Sequence, residues 1–270
     1  MIRKKHIISQ LARLRWPWDM AVDTVLPPRC FVTGEIVSQQ GMVSPEFWQK
    51  LEFIHKPFCK TCGLPFEFDD MDDDSLCGAC LQETPKFNTA RAALVYNDAA
   101  RDMLLRFKYG DKLHAAVTFA NWLQQSAPDV ILDSDLIVPV PLHWRRMLFR
   151  RYNQSALLAH ALSKTSDRPV CHALKRRRFT GPQKGLNRKE RLKNVRMSFA
   201  INSKNVDSVK GKNVILIDDV MTSGATVNEC AKVLKRNGAK SVQVLSVARV
   251  LKNKEYQPAE DVFDPFAEGY

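Results

Sequence analysis

Val214-Ile-Leu-Ile-Asp-Asp-Val-Met-Thr-Ser-Gly-Ala-Thr226 is the stretch that decides the fold of this 270-residue chain. Val214 to Ile217 is a short, wholly apolar run of the kind that forms a buried strand. It ends in two carboxylates, and a small, hydroxyl-rich loop follows. A helix is predicted over Thr226 to Arg236, closed by Asn237-Gly238. In an open parallel sheet, ligands collect at the carboxyl ends of the strands. The loop Met221, Thr222, Ser223, Gly224, Ala225, Thr226 can aim backbone N–H groups and a helix N-terminus at a phosphate. The hydroxyls of Thr222, Ser223 and Thr226 add donors, and Gly224 lets the backbone come close. Asp218 and Asp219 stand where they can accept hydrogen bonds from the two hydroxyls of a ribose. The competing reading is a plain strand–turn–helix whose acids cap the helix. A lone Asp-Asp pair would favour it; the whole string favours the phosphate site.

The pattern around this string is one of alternation. Strands are predicted over Ala92 to Tyr96, Leu136 to Val140 and Val242 to Val247, and helices over Ala99 to Lys108, Leu113 to Gln125 and Gln154 to Ser163. Such alternation predicts an α/β fold, a parallel sheet flanked by helices. Residues 1–88 differ: Trp16-Pro17-Trp18, Pro27-Pro28 and Pro57 interrupt them, with a short amphipathic helix before Pro17 and four cysteines near the end. The expected division is an N-terminal region over 1–88, with its cysteine module at about 55–84, an α/β domain over 89–250 and a loosely packed or disordered tail over 251–270. No internal repeat is evident. The apolar stretch near the N-terminus is too broken for a signal peptide. The longest apolar runs, such as Leu136 to Leu142, fall far short of a membrane span. The expectation is a cytoplasmic protein without membrane insertion. Seven cysteines in such a protein point to metal or thiol chemistry before disulfides.

A second segment supports the first. Ile137-Val-Pro-Val-Pro-Leu-His143 is a strand followed by a Pro-rich turn, with Arg145 and Arg146 next and Arg150 and Arg151 beyond. Arginine forks suit phosphate oxygens better than lysine point charges. For Arg150 and Arg151 a solvated basic helix is an equal reading.

The long string resembles the phosphoribosyl pyrophosphate (PRPP) signature of type I phosphoribosyltransferases. Taken together, Val138-Pro-Val-Pro-Leu-His143, Arg145-Arg146, Tyr152-Asn-Gln154, Thr180, Gln183, Leu186, Arg191, Asn194, Phe199 and the Asp218-Asp219 string resemble the ComF family over roughly residues 15–250. That resemblance implies a type I phosphoribosyltransferase fold and a link to DNA uptake or use of external DNA. It implies that Pro141, Leu142, His143, Arg145 and Arg146 form a pyrophosphate loop. Thr180 to Asn194, with Thr180, Gln183, Arg191 and Asn194, would be a flexible loop closing over the ligand; Gly181-Pro182 and Gly185 suit a mobile element. The implied reaction is phosphoribosyl transfer with loss of pyrophosphate, with Mg²⁺ bridging the ribose hydroxyls and the pyrophosphate. No hood for a particular acceptor base or amine is legible. A non-catalytic factor that uses PRPP as a signal is the alternative.

Cys59-x2-Cys62-x14-Cys77-x2-Cys80 has the spacing of a zinc ribbon, whose four thiolates close a tetrahedral, structural Zn²⁺ site. Gly63 and Gly78 permit tight knuckles. ComF relatives often carry a further CxxC upstream; here Thr33 stands where a cysteine would pair with Cys30, so a single ribbon is expected and Cys30 reads as a leftover buried thiol, with a metal ligand as the alternative. Cys171 and Cys230 read as core residues, and the run Asp69, Asp70, Asp72, Asp73 and Asp74 as a solvated loop.

Net charge is +12, while residues 145–193 alone hold fifteen Lys/Arg against two acids. That excess goes beyond what one polyphosphate neutralises. With Phe149, Tyr152 and Phe179 as stacking groups it suggests single-stranded DNA as a partner, against the plainer reading of a solvated basic face.

Overall fold

The computed structural model describes residues 27–109, 114–142, 152–177 and 198–251. Its centre is a four-stranded, all-parallel sheet in the order β1-β6-β5-β2. These strands are β1 (Thr89–Val95), β2 (Leu136–Pro139), β5 (Asn213–Met221) and β6 (Ser241–Arg249). β3 (Leu174–Arg176) and β4 (Phe199–Ile201) form a separate antiparallel pair.

Strand alternation sends each strand's residues to two cores. Ile215 and Ile217 of β5 join Leu245 and Val247 of β6 on one face. There they meet the helices α3 (Asp98–Tyr109), α4 (Ala115–Ser126) and α6 (Gln154–Ser166) through Phe107, Phe119, Leu123, Leu158 and Leu162. Val214 and Leu216, with Val242 and Val244, face the other way onto Cys230, Ala231 and Leu234 of α8 (Ala225–Arg236). A parallel sheet covered on both faces needs apolar residues at nearly every position, which is why these strands read as continuous apolar runs. Short helices complete the described elements: α1 (Pro45–Trp48), α2 (Gly78–Gln82), α5 (Pro128–Leu132) and α7 (Val206–Val209), with a 3-10 turn at Ser203–Asn205.

Three strands extend beyond their expected bounds, while β1 stops at Val95 rather than Tyr96 and β2 at Pro139 rather than Val140. β1 begins at Thr89 rather than Ala92, β5 runs to Met221 rather than Ile217, and β6 to Arg249 rather than Val247. Backbone pairing carries these strands past their apolar centres: Asp218 sits opposite Ser246, and Met221 opposite Arg249. The β3–β4 pair had no periodic signal, because strands of three residues are too short for one. Cys171 is half-buried rather than a core residue, whereas Cys230 is fully buried. The helix expected before Pro17 and the tail beyond Leu251 lie outside the described residues. Among the described residues, no helix is long and apolar enough to cross a membrane.

The N-terminal region is built into both cores. Phe31, Val43, Phe47 and Leu51 pack in the cluster of α3 and α4, while Cys59, Cys62, Cys77 and Cys80 join the cluster of α8.

Candidate functional site

At the carboxyl end of β5, Asp218 and Asp219 are followed by Met221, the turn Thr222–Gly224 and the first residue of α8. Gly224 is the N-cap, with φ +75°, a conformation that disfavours any residue with a Cβ. A Cβ there would also meet Met221 Cε at 3.0 Å. Because Gly224 offers no capping side chain, the first-turn N–H groups of α8 are left for another acceptor. The sequence-predicted loop is therefore brought together with the diacid, at the carboxyl end of the sheet.

The two carboxylates have different surroundings. Asp218 Oδ1 accepts from Ser155 Oγ at 3.3 Å and from the Asp219 N–H at 3.0 Å. Burial, then the Asp219 charge beside it, raise the Asp218 carboxyl to about 8. Asp219 Oδ2 lies 2.9 Å from Lys108 Nζ, both side chains being more than four-fifths buried, and Asp219 Oδ1 accepts from the Val220 N–H at 2.7 Å. Lys108 and Ser155 were missed in the sequence. Lys108 lies in the last turn of α3 and Ser155 opens α6, and neither stands near Asp219 in the chain. Tyr152-Asn153-Gln154 ties these elements together. Tyr152 Oη donates to Phe107 O at 2.9 Å, Gln154 Nε2 to Lys108 O at 3.4 Å and Asn153 Nδ2 to Val140 O at 3.0 Å, while Asn153 caps α6 through Ser155 N. The bond to Val140 places that residue, and with it Pro141 and Leu142, beside the opening of α6. His143, Arg145, Arg146, Arg150 and Arg151, the loop residues Thr180, Gln183, Arg191 and Asn194, and the stacking candidates Phe149 and Phe179 lie outside the described residues.

The basic run splits. Arg176 Cζ sits 5.3 Å from the Phe199 ring centroid, so its guanidinium packs inward, while Lys175 and Arg177 are exposed on either side. Alternation along β3 is the reason.

The four ribbon cysteines come together with every Sγ within 4.8 Å of the others, all buried. Cys62 and Cys77 sulfurs are 3.6 Å apart. Burial raises the Cys59 thiol, but backbone N–H groups of Cys62, Cys77 and Thr61 outweigh it and bring the group down to about 7. Burial and the neighbouring cysteines push Cys62 up to about 11 despite Arg249, and Cys80 higher still. Sulfurs this close cannot all ionise unless a cation sits among them, so the set fits a structural Zn²⁺. Lys56–Asp73 and Lys60–Asp74 pairs hold the acidic run, and both are exposed.

The region does contain a repeat, contrary to the sequence reading. The backbone around Cys30 copies the knuckle around Cys59. Cys30 N–H donates to Glu35 O at 2.7 Å as Cys59 N–H does to Leu64 O at 2.8 Å, and Gly34 N–H to Cys30 O at 2.9 Å as Gly63 N–H to Cys59 O at 2.8 Å. Thr33 N–H reaches Cys30 Sγ at 3.4 Å as Cys62 N–H reaches Cys59 Sγ at 3.5 Å. Ser44, in the extended conformation, caps α1 as Cys77 caps α2. The ligand positions of this first ribbon are thus Cys30, Thr33, Ser44 and Phe47. Thr33 Oγ1 lies 3.3 Å from Ser44 Oγ, and Phe47 is buried. One thiol, two hydroxyls and a phenyl ring do not fit Zn²⁺, so these four positions do not make a second zinc site of a double ribbon. The repeat escaped the sequence because it survives in backbone geometry and not in ligands.

A parallel sheet bearing a diacid and a glycine-capped loop, with a cysteine knuckle against it, defines a type I phosphoribosyltransferase-like protein with an N-terminal zinc ribbon. Residues 21–85 match the family described as "Double zinc ribbon domain", and residues 153–264 match "Phosphoribosyl transferase domain". The chain is 32% identical over 200 residues to "Competence protein F" of Haemophilus influenzae, covering 72% of this chain and 85% of that one. It is 31% identical over 202 residues to "DNA utilization protein YhgH" of Escherichia coli K12, covering 73% and 86%. To "Competence protein ComFC" of Bacillus subtilis it is 29% identical over 208 residues, covering 74% and 81%. The chain belongs to the ComF family. Its overlap with glutamine PRPP amidotransferase from B. subtilis is small, with a TM-score of 0.36 at 19% identity over 53% of this chain and 30% of that one.

Proposed function

We propose that the chain binds PRPP at the end of β5 and acts in the use of DNA taken from outside the cell. The observation that carries the PRPP reading is the diacid followed without interruption by the Gly224-capped opening of α8. The first-turn amides and the hydroxyls of Thr222, Ser223 and Thr226 would hold the 5′-phosphate, and Asp218 and Asp219 the ribose hydroxyls. Mg²⁺ would supply charge neutralisation between ribose and pyrophosphate. Pro141, Leu142, His143, Arg145 and Arg146 would serve the pyrophosphate. Lys108 would keep Asp219 neutralised until a ligand with its own cation arrives. In the enzymatic form of this reading, the chain's contribution is positioning and charge stabilisation without a covalent intermediate. The link to DNA rests on the relatives named for competence and DNA utilization.

Calorimetry with PRPP and Mg²⁺ tests the site. Wild type should bind, and Asp219→Ala should bind at least about tenfold more weakly, as expected on removing a charged hydrogen-bond partner. Equal affinity in both proteins would remove the ribose assignment. Following pyrophosphate release with candidate acceptors then separates an enzyme from a PRPP-sensing, DNA-binding factor. The exposed Lys175 and Arg177 give the latter a specific surface.

A further inference from the structure

Arg249 is the last residue of β6 and is only 8% exposed. Its guanidinium reaches in two directions. Toward the ribbon, Nη1 donates to Cys62 O at 2.6 Å and Nη2 lies 3.4 Å from Cys62 Sγ. Toward the site, Nη1 lies 3.4 Å from Met221 Sδ. Met221 is Arg249's partner across the β5–β6 ladder, and Val250 N–H donates to Met221 O at 3.0 Å. Met221 in turn fills the space beneath Gly224, where an added Cβ would touch its Cε. A continuous path of touching groups therefore runs Cys62, Arg249, Met221, Gly224, from a zinc ligand to the N-cap of α8.

Charge gives this path a switchable element. A guanidinium buried this deeply needs a counter-charge. Four thiolates around Zn²⁺ carry a net charge of −2, which Arg249 meets on one side. On the other side Arg91 Nη1 donates to Lys60 O at 3.0 Å, with Cζ stacked 4.5 Å from the Phe58 ring. When the ion is gone, nothing fixes Cys62 in the cluster, so the contacts that hold Arg249 between Cys62 and Met221 are weakened. The ribbon cannot easily shift instead, because it is docked at two further points. Ala90 N–H donates to Thr61 O at 2.7 Å, and a Cβ on Gly63 would come within 2.4 Å of Ala90 O.

We infer that Arg249 is a positioning residue that couples the zinc ribbon to the loop Thr222–Gly224, so that an intact metal site holds that loop in shape. The inference rests on the proposed function only for the loop's role in holding phosphate; the coupling itself is independent of it. Lysine is a poor replacement for Arg249, because a single ammonium cannot make the Nη1 contacts to Cys62 O and Met221 Sδ and the Nη2 contact to Cys62 Sγ together.

Hydrogen exchange by mass spectrometry on the full chain, read at the amides of 222–228, tests the coupling without any ligand. In wild type, removing zinc with a chelator should speed exchange there several-fold, while the middle of α6 stays unchanged. Arg249→Lys with its zinc still bound should show the faster loop exchange already, and chelation should add little more. It should also release zinc to a chelating dye several-fold faster than wild type. Met221→Leu cuts the same path without touching a residue next to the metal, and it should loosen the loop with zinc content unchanged; it serves if Arg249→Lys fails to fold. Wild-type loop exchange that ignores chelation would overturn the coupling. So would a zinc-loaded Arg249→Lys protein, or a Met221→Leu protein where that variant fails, whose loop exchanges as in wild type. A protein that shows the coupling but no calorimetric PRPP binding would leave Arg249 its role and overturn the functional reading instead.

Discussion

Asp218 shows how a residue can be placed against its own preference. The ordinary carboxylate value is 3.8, and the folded chain raises it to about 8 through burial and the charge of Asp219. Because the folded value is the higher one, the favourable contribution is complete below about pH 4 and is lost as pH rises through about 8. Over that window the unfolded chain ionises while the folded chain still holds the proton. Asp218→Asn is neutral throughout. Relative to wild type it should therefore gain on the order of 1–3 kcal/mol between pH 4.5 and pH 8, after a discount for partial exposure. Thermal midpoints of both proteins at the two pH values measure this. A gap between the two proteins that stays constant with pH would show that Asp218 is an ordinary carboxylate. Destabilising strain of this kind is common where a site is arranged for a ligand. The adjacent Lys108 makes the same point: it was invisible as a site residue because only the packing of α3 against α6 brings it to Asp219.

At the scale of elements, the two ribbons use one backbone with different contents. The second closes on four sulfurs. The first closes on a hydroxyl contact between the exposed Thr33 and the buried Ser44, and on the buried Phe47. Burial raises the Cys30 thiol, but hydrogen bonds from Thr33, Ser44 and Val32 outweigh it and leave the group below its ordinary value, so the knuckle's N–H groups still point at sulfur. Elemental analysis should find close to one zinc per chain, and Cys62→Ser should release it and weaken the N-terminal region, since site formation and local folding are coupled. The combined change Thr33→Cys, Ser44→Cys, Phe47→Cys should raise the content to two. Its chelated form should be less stable than chelated wild type by about 3 kcal/mol, from removal of the Phe47 side chain. Two zincs in wild type, or one in the triple variant, would refute the equivalence of the ribbons.

At the scale of the molecule, the excess positive charge has to be shared between a buried structural role and an outward-facing one. Arg176 packs on Phe199 and is unsuited to a phosphate backbone, while Lys175 and Arg177 project outward from the same strand. Single-stranded DNA binding that weakens steeply with salt is the expected property. Replacing Lys175 and Arg177 together by Ala should lower affinity for every sequence. It should also flatten the salt dependence by about 0.7 log units for each phosphate that is no longer neutralised. Anisotropy titrations across a salt series decide this. Wild type that fails to bind at micromolar concentration in low salt would assign the basic surface to the polyphosphate and solvent, and would strengthen the enzymatic reading.

The sequence by itself determined the alternation of strands and helices, the placing of a diacid and a glycine-capped loop at one strand's end, and the four cysteines of the metal site. Each of these is local: apolar period, a glycine forced by backbone conformation, and ligand spacing within each of two knuckles. The family was legible for the same reason, since its motifs are continuous strings. What only tertiary structure decided is non-local. Lys108 and Ser155 reach the diacid because α3 and α6 pack on one face of the sheet. Arg176 turns inward through strand alternation in a segment too short to show it. The first ribbon is recognised by hydrogen bonds that leave no ligand signature. Arg249, in sequence one more cation at the end of a strand, becomes the link between metal site and loop because pairing sets it opposite Met221 and packing lays the ribbon over both. A sequence records which groups are available. Their partners across the sheet are set by pairing and burial, which depend on the whole chain at once.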